Sequence, residues 1–459
     1  MNNNQLLIGW KDMLKVALPV SLGVFVQFIV VFIDNYFVAK LDGNAMSAAS
    51  FVGLIYVTMA MIGVGLGNAT QIIVARRKGE NNINEAGEVV GNAFWMALLV
   101  AAFQFCFLFF LLPAIIENTI DSPIIRAYMT VFSEYRAFGF FFYTLTLILN
   151  SFWAGIAHTR VMIATTLITA LVTILLDYGL VFGNLGLPNL GMAGAALATT
   201  IAEACAFTFL IWYTIKYHHK FTFSKTESGE NSTSMNLGKS ILSIPVNHTK
   251  SLFKLGGPIS LQLVSSLGIW VIFYEFIESM GEQPLQSSFI VRNMYMLVYV
   301  SVGGFSTTIK TYVSGLIAEN RQSELHAVIF KLTLMNFIGI LLLSHGLWLY
   351  PEWITSHFTS DPIVIDQTIR TMHIVLPAML TFSVTSMLLS TVEGSGNTMA
   401  GFIIEFITVI IYIAAAYTMV YNWHWPIHLV WTADYVYFIS LGILSFVFLY
   451  NGKWKWNKV

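Results

Sequence analysis

Two aspartates lie inside runs of apolar residues long enough to cross a bilayer: Asp34 in IVVFIDNYFVAK and Asp177 in TILLDYGLVFG. A carboxylate stripped of water is costly as an anion, so in hydrocarbon it points to a functional role, the uptake of a proton or the holding of a cation. Polar side chains recur at helical spacing beside both. Gln27 lies seven residues before Asp34 and Thr173 four before Asp177, each on its aspartate's face, and Asn150 near the end of the preceding apolar run can complete the set. Three further acids require weighing. Glu203 either joins this cluster or pairs with a polar neighbour; Glu275 shares a face with Glu278 at the outer end of its run, where surface solvation is the preferred reading; Glu405 stands near a cytoplasmic end with its role open. Glu134 and Arg136 read as interfacial or structurally paired.

Other chemistries find no footing. The ten histidines have no paired ligand spacing, and no serine, histidine and acid arrangement stands out, so neither an enzyme, a metal site nor a cofactor is expected. The glycines of GVGLG follow no strand and precede no Gly-Lys-Ser or Gly-Lys-Thr, so they read as close helix packing rather than a phosphate cradle. Cys106 and Cys205 lie in apolar runs and read as core filler.

The elements that hold these residues follow from composition. Of 459 residues, 56% are hydrophobic and only 10% charged, against about 25% charged in soluble domains. Apolar runs near the roughly 20 residues needed to cross a bilayer recur along the whole chain. They give twelve spans, at 16–38, 47–74, 89–116, 125–152, 160–183, 191–216, 257–280, 287–317, 326–350, 367–391, 398–421 and 427–451. Backbone groups in lipid must satisfy one another, and runs this long exclude a barrel, so the fold class is an all-α polytopic membrane protein. The opening MNNNQLLIGWKDMLK lacks the pattern of a secretory signal, and the first span is expected to be retained. With a cytoplasmic N-terminus, sixteen Lys and Arg fall on the inside and one, Lys40, clearly outside, which places both termini in the cytoplasm. The near-zero net charge and the lack of a basic patch argue against nucleic acid.

The chain also repeats itself at one constant offset of 239 residues: Pro19 and Pro258, Gly65 and Gly304, Glu80 and Glu319, Gly155 and Gly394. Each half carries six spans, so the repeat is parallel: an N-lobe over 1–217, a polar cytoplasmic connector over 218–253 and a C-lobe over 254–459. The repeat supplies an internal control. At the same offset Gln27 becomes Ser266, Asp34 becomes Phe273, Asn150 becomes Leu389, Thr173 becomes Tyr412 and Asp177 becomes Ala416. The scaffold keeps its prolines and glycines in both halves and the acids in one, as function rather than folding would require.

These residues resemble a known family. IDNYFVAKLDGNAMSAAS, GVGLGNATQIIVARRKGE, the GIAHTR turn and LDYGLVFGNLGLPNLGMAGAALATTIAE are similar to the multidrug and toxic compound extrusion (MATE) family, over nearly the whole chain. The resemblance implies a secondary active exporter in a prokaryotic inner membrane that exchanges cationic or amphipathic organic compounds for protons or, second in order, sodium ions. It further implies that Asp34 and Asp177 occupy the two acidic N-lobe positions, with Gln27 and Asn150 as polar partners. Two positions depart from the family's pattern. Thr173 stands where asparagine is usual, and Ser266 where one branch has a seventh-span glutamate; that branch's tenth-span aspartate also has no counterpart within 367–391. The competing readings are a lipid-linked glycan flippase of a related superfamily, which would need a basic cavity, and a passive channel or solute importer. The chain is expected to act as a monomer in contact with membrane lipid.

Overall fold

The computed structural model describes residues 8–217 and 247–456; positions 218–246, most of the expected connector with His218 and His219, lie outside them. Every regular element among the described residues is helical. The first half gives α1 (Trp10–Ala39), α2 (Gly43–Gly79), α3 (Ile83–Thr119), α4 (Pro123–Ala137), α5 (Gly139–Gly155), α6 (Arg160–Phe182) and α7 (Gly191–Tyr217). The second gives α8 (Thr249–Glu278), α9 (Glu282–Ala318), α10 (Gln322–Leu349), α11 (Pro362–Gly394), α12 (Thr398–Asn422) and α13 (Ile427–Tyr450).

Ten of these are long and apolar enough to cross a membrane, and α4 with α5 forms one further span bent by 44° at Phe138. The twelfth segment, α9, runs 37 residues but carries Arg292, Lys310 and a run of serines and threonines, so its length rather than its hydropathy marks it as a span. Side-chain caps start several helices. Asn82 accepts from the Glu85 amide at 3.3 Å while its own amide donates to the Glu85 carboxylate at 2.7 Å, and Asp361 accepts from the Ile363 amide at 2.8 Å ahead of Pro362.

The chain divides into two compact units, Leu22–Ser260 and Leu261–Val459 together with the opening stretch through Ser21, so the divisions fall within α1 and α8. The core of the first is built from small residues of α2 (Ala45, Ala48, Ala49, Val52) against Phe132, Phe140 and Ala195. Larger side chains, among them Phe273, Trp431 and Phe438, fill the core of the second. Cys106 and Cys205 are exposed on helix surfaces, not in the core as the apolar runs suggested, because a run buried in lipid does not say which of its faces meets protein.

The repeat is visible as backbone geometry. A Cβ on Gly65 would sit 2.7 Å from the Gly256 carbonyl oxygen and the Ser260 nitrogen; one on Gly304 would sit 2.6 Å from the Ala17 carbonyl oxygen and 2.8 Å from the Ser21 nitrogen. Ala17 and Ser21 are the partners of Gly256 and Ser260 at the same offset of 239. Each half therefore needs glycine where its second helix touches a first-helix backbone.

Candidate functional site

In the Leu22–Ser260 unit, α1 runs beside α6 in a nearly constant register. A Cβ on Gly23 would meet the Thr166 hydroxyl at 3.3 Å, Asp34 faces Asp177, and the rings of Phe37 and Phe182 lie 5.9 Å apart. Residue numbers rise together along both helices, so the two are parallel. That register sets the two carboxyl groups against each other within hydrogen-bonding reach. Asp177 is fully buried, and no donor among the described residues reaches either of its oxygens; one oxygen of Asp34 is likewise buried and unpartnered.

More orphaned acceptors lie in the same unit. Thr173, one turn before Asp177, is fully buried with its hydroxyl unbonded, and the side-chain oxygens of Asn150 and of Thr146, four residues earlier on α5, are also without donors. No hydrogen bond joins Asn150 or Gln27 to the aspartates among the described residues, and Gln27 is exposed on α1. The geometry thus brings Asp34 and Asp177 together, keeps Thr173 on the Asp177 face, and leaves Gln27 and Asn150 unlinked to the pair.

Glu203 is committed elsewhere. Its carboxylate takes two parallel hydrogen bonds from Arg136, at 2.7 and 2.8 Å, and the guanidinium lies 3.8 Å above the ring of Tyr56, itself stacked on Phe140 at 4.1 Å. Gly139 makes room for this pair, since a Cβ there would fall 2.1 Å from Arg136 and 2.4 Å from Glu203. The ion pair is close enough to Asp34 to act on it electrostatically. Arg136 is therefore occupied by Glu203 and is not the counter-ion of the aspartate pair.

The Leu261–Val459 unit holds a second polar interior. Lys310 of α9 binds Glu393 of α11 at 2.7 Å, and Gln262 of α8 donates to Glu393 at 2.9 Å. Glu405 of α12 accepts from Ser266 at 2.6 Å and from the Tyr437 hydroxyl of α13. Asp434 of α13 is buried beside the Tyr412 hydroxyl with one oxygen unpartnered. Glu275 joins none of this and is exposed near the end of α8. Sequence reasoning missed Glu393 and Asp434. Glu393 lies two residues beyond the expected limit of the tenth span, whose helix runs on to Gly394, and Asp434 sits seven residues inside the expected twelfth span, where a lone acid within an apolar run was the available signal.

Eleven apolar helical spans and the long polar α9 among the described residues, in two repeats with charged groups sealed inside each, define a multi-pass membrane transporter. The MatE family profile matches residues 19–179 and 258–418, two blocks set 239 residues apart, and the chain belongs to that family. It is 22% identical to a probable multidrug resistance protein NorM of Thermotoga maritima, over 97% of this chain and 93% of that one. It is also 22% identical to the probable multidrug resistance protein YoeA of Bacillus subtilis, over 84% and 82%. Among solved structures, an outward-facing multidrug resistance MATE transporter superposes with a TM-score of 0.88 at 15% identity, covering 98% of this chain and 97% of that one. A Vibrio cholerae MATE transporter, VcmN, does so with 0.84 at 14% identity, covering 98% of each.

Proposed function

We propose that this transporter is a secondary active exporter that moves cationic or amphipathic organic compounds out of a prokaryotic cell in exchange for protons, by alternating access, with both termini in the cytoplasm. The observation that carries the reading is the facing pair of carboxyl groups, Asp34 and Asp177, which has no basic partner among the described residues. Two ionised carboxylates only accept hydrogen bonds and repel at this range; one bound proton turns one of them into a donor to the other. Proton loading thereby removes a repulsion between α1 and α6, and proton loss restores it. The loaded and unloaded forms then favour different packings of these two helices, which is what coupling an ion gradient to a conformational cycle requires. Thr173 lines the same face, Gln27 and Asn150 add polar groups to the N-lobe without bonding to the pair, and the Arg136 and Glu203 pair fixes the electrostatic background.

Relatives bearing multidrug resistance names favour organic compounds as cargo. An N-lobe of 1–217 and a C-lobe of 254–459, working as one chain, form the transporting unit in this reading, in contact with membrane lipid. The test is uptake of a fluorescent organic cation into inside-out vesicles with proton and sodium gradients imposed separately. Uptake driven by the proton gradient, and absent in Asp34→Asn protein that is normally inserted, is the expected result. Uptake that follows only the sodium gradient, or that survives in Asp34→Asn, overturns the coupling assigned here.

A further inference from the structure

The interior of the Leu261–Val459 unit contains two acids that its buried Lys310–Glu393 ion pair leaves uncompensated. Lys310 is taken by Glu393, and among the described residues no lysine, arginine or histidine pairs with Glu405, 2% exposed, or Asp434, 6% exposed. Their surroundings are reciprocal. Glu405 and Tyr412 belong to α12, and Asp434 and Tyr437 to α13; the Tyr437 hydroxyl donates to Glu405, while the Tyr412 hydroxyl stands at Asp434. The helices are antiparallel here, since the residue number rises on one as it falls on the other between the two contacts. The rings of Tyr412 and Tyr437, 5.8 Å apart, lie between the acids. Seven residues separate Glu405 from Tyr412 on α12, about 10 Å of rise, and three separate Asp434 from Tyr437 on α13, about 4.5 Å, so the two carboxyl–phenol contacts lie one above the other along the helix pair.

We infer that Glu405 and Asp434 form a second proton-binding site, distinct from the aspartate pair of the N-terminal repeat. Two ionised carboxylates at these positions would each be a buried charge with no opposite charge to offset it, an arrangement that is strongly unfavourable in hydrocarbon. A single proton on each removes the charge and still lets the oxygens accept from the hydroxyls already in place. Two acceptors already lack a donor: the free oxygen of Asp434, and the side-chain oxygen of Gln262, 6% exposed and four residues before Ser266 on α8. The ligand is small. Phe273 and Trp431, both fully buried, pack against each other at 5.2 Å, and Phe273 lies 5.6 Å from Tyr412, so the layer around these acids is filled by rings.

The groups that face the two acids are few. Glu405 is faced by Ser266 and Tyr437, by Glu393 with its Lys310, and by Tyr295 and Tyr299 of α9. Asp434 is faced by Tyr412, Tyr295 and Tyr274, the last with Arg292 5.8 Å from its ring, and by Tyr435 on its own helix.

The experiment is pH-stepped infrared difference spectroscopy on the full-length protein in lipid, without substrate. The expected spectra contain a protonated-carboxyl stretch that disappears in Glu405→Gln and a second that disappears in Asp434→Asn. Loss of the phenol shifts each to higher frequency, in Tyr437→Phe and Tyr412→Phe respectively, and these milder variants serve if the acid substitutions fail to insert. Both bands persist in the Asp34→Asn, Asp177→Asn double variant, and Glu405→Gln and Asp434→Asn each lower the protons titrated per molecule by one. Spectra and proton counts that are the same in all four C-terminal variants as in the parent overturn the inference. Because nothing is transported in this measurement, failure of the N-terminal coupling leaves its outcome untouched.

Discussion

The two repeats agree where backbone must turn and disagree where side chains meet inside. After α2 the chain bonds back from Glu80 to Arg76, from Asn81 to Lys78 and from Asn82 to Arg77; after α9 the same three bonds run from Glu319 to Gly315, from Asn320 to Ile317 and from Arg321 to Leu316. Asn81 and Asn320 both take the left-handed conformation, at φ of 57° and 56°, which asparagine tolerates better than most residues. Inside the bundles the correspondence ends. Among the described residues, each unit encloses one ion pair and two uncompensated acids: Arg136 with Glu203 beside Asp34 and Asp177, and Lys310 with Glu393 beside Glu405 and Asp434. None occupies an equivalent position, for Lys310, Glu393, Glu405 and Asp434 map onto Gln71, Ala154, Thr166 and Ala195. The folding scaffold is thus inherited in duplicate, while a similar polar inventory is assembled twice from different positions. The acids also differ in kind: the N-terminal pair faces acid to acid across parallel helices, and each C-terminal acid faces a tyrosine across antiparallel ones.

The sharpest way to break the comparison is to neutralise one acid in each half. Asp34→Asn is expected to reduce proton-driven efflux by more than about a hundredfold, as removal of a group required in the cycle does. Glu405→Gln leaves the facing aspartates intact and is expected to alter the number of protons exchanged per substrate before it alters the rate. Equal loss of efflux in both, with unchanged stoichiometry, would erase the distinction between the halves. Next in size is the N-terminal ion pair. Arg136→Met strands Glu203 as an unpaired buried charge and is expected to cost about 3–5 kcal/mol in unfolding experiments in detergent, whereas Arg136→Met combined with Glu203→Leu recovers most of it. Failure of the second substitution to rescue the first would show that Arg136 acts on something other than Glu203.

The matched glycine contacts allow a direct comparison of the scaffold. Gly65→Ala and Gly304→Ala each force a methyl against backbone atoms at 2.6–2.8 Å, and each is expected to destabilise by about 1–3 kcal/mol. Similar thermal shifts in the two variants support a scaffold that is physically duplicated; a large shift in only one would mean that the two close approaches are not equivalent.

How far the sequence could be read follows the same division. Glycine, proline and asparagine punctuate the backbone at fixed places, so the 239-residue offset and the helical spans were legible from one chain. Asp34 and Asp177 stood out as candidates in the sequence because a lone acid deep in an apolar run draws attention wherever it lies. Their facing each other was not, because it depends on the register of α1 against α6, which residues distant in sequence decide together. The same holds for Glu405, whose partners Ser266 and Tyr437 come from two other helices, and for Glu203, whose tie to Arg136 spans 67 residues. Glu393 escaped because hydropathy places a helix end only to within a few residues, and Gln27 was drawn toward Asp34 by helical spacing although it lies exposed on α1.

The smallest effect tests the turns alone. After α5, Ala157 sits at φ of 61°, and its counterpart after α11, Gly396, at 87°. Both close the helix with the same bonds, from Ala157 to Ala154 and His158 to Trp153 in one case and from Gly396 to Glu393 and Asn397 to Val392 in the other. The left-handed conformation crowds a Cβ against the backbone at a cost of about 1 kcal/mol, which alanine bears and glycine does not. Ala157→Gly is therefore expected to stabilise the protein by somewhat under about 1 kcal/mol, offset in part by the extra freedom glycine gains in the unfolded chain, and Gly396→Ala to destabilise it by a similar amount. Thermal unfolding of the two variants in detergent reads the signs. Opposite signs mean that the turns are the same structure carrying different residues; destabilisation by both would mean that the methyl of Ala157 contributes packing that outweighs its strain, and that the first repeat has adapted this turn to its own surroundings.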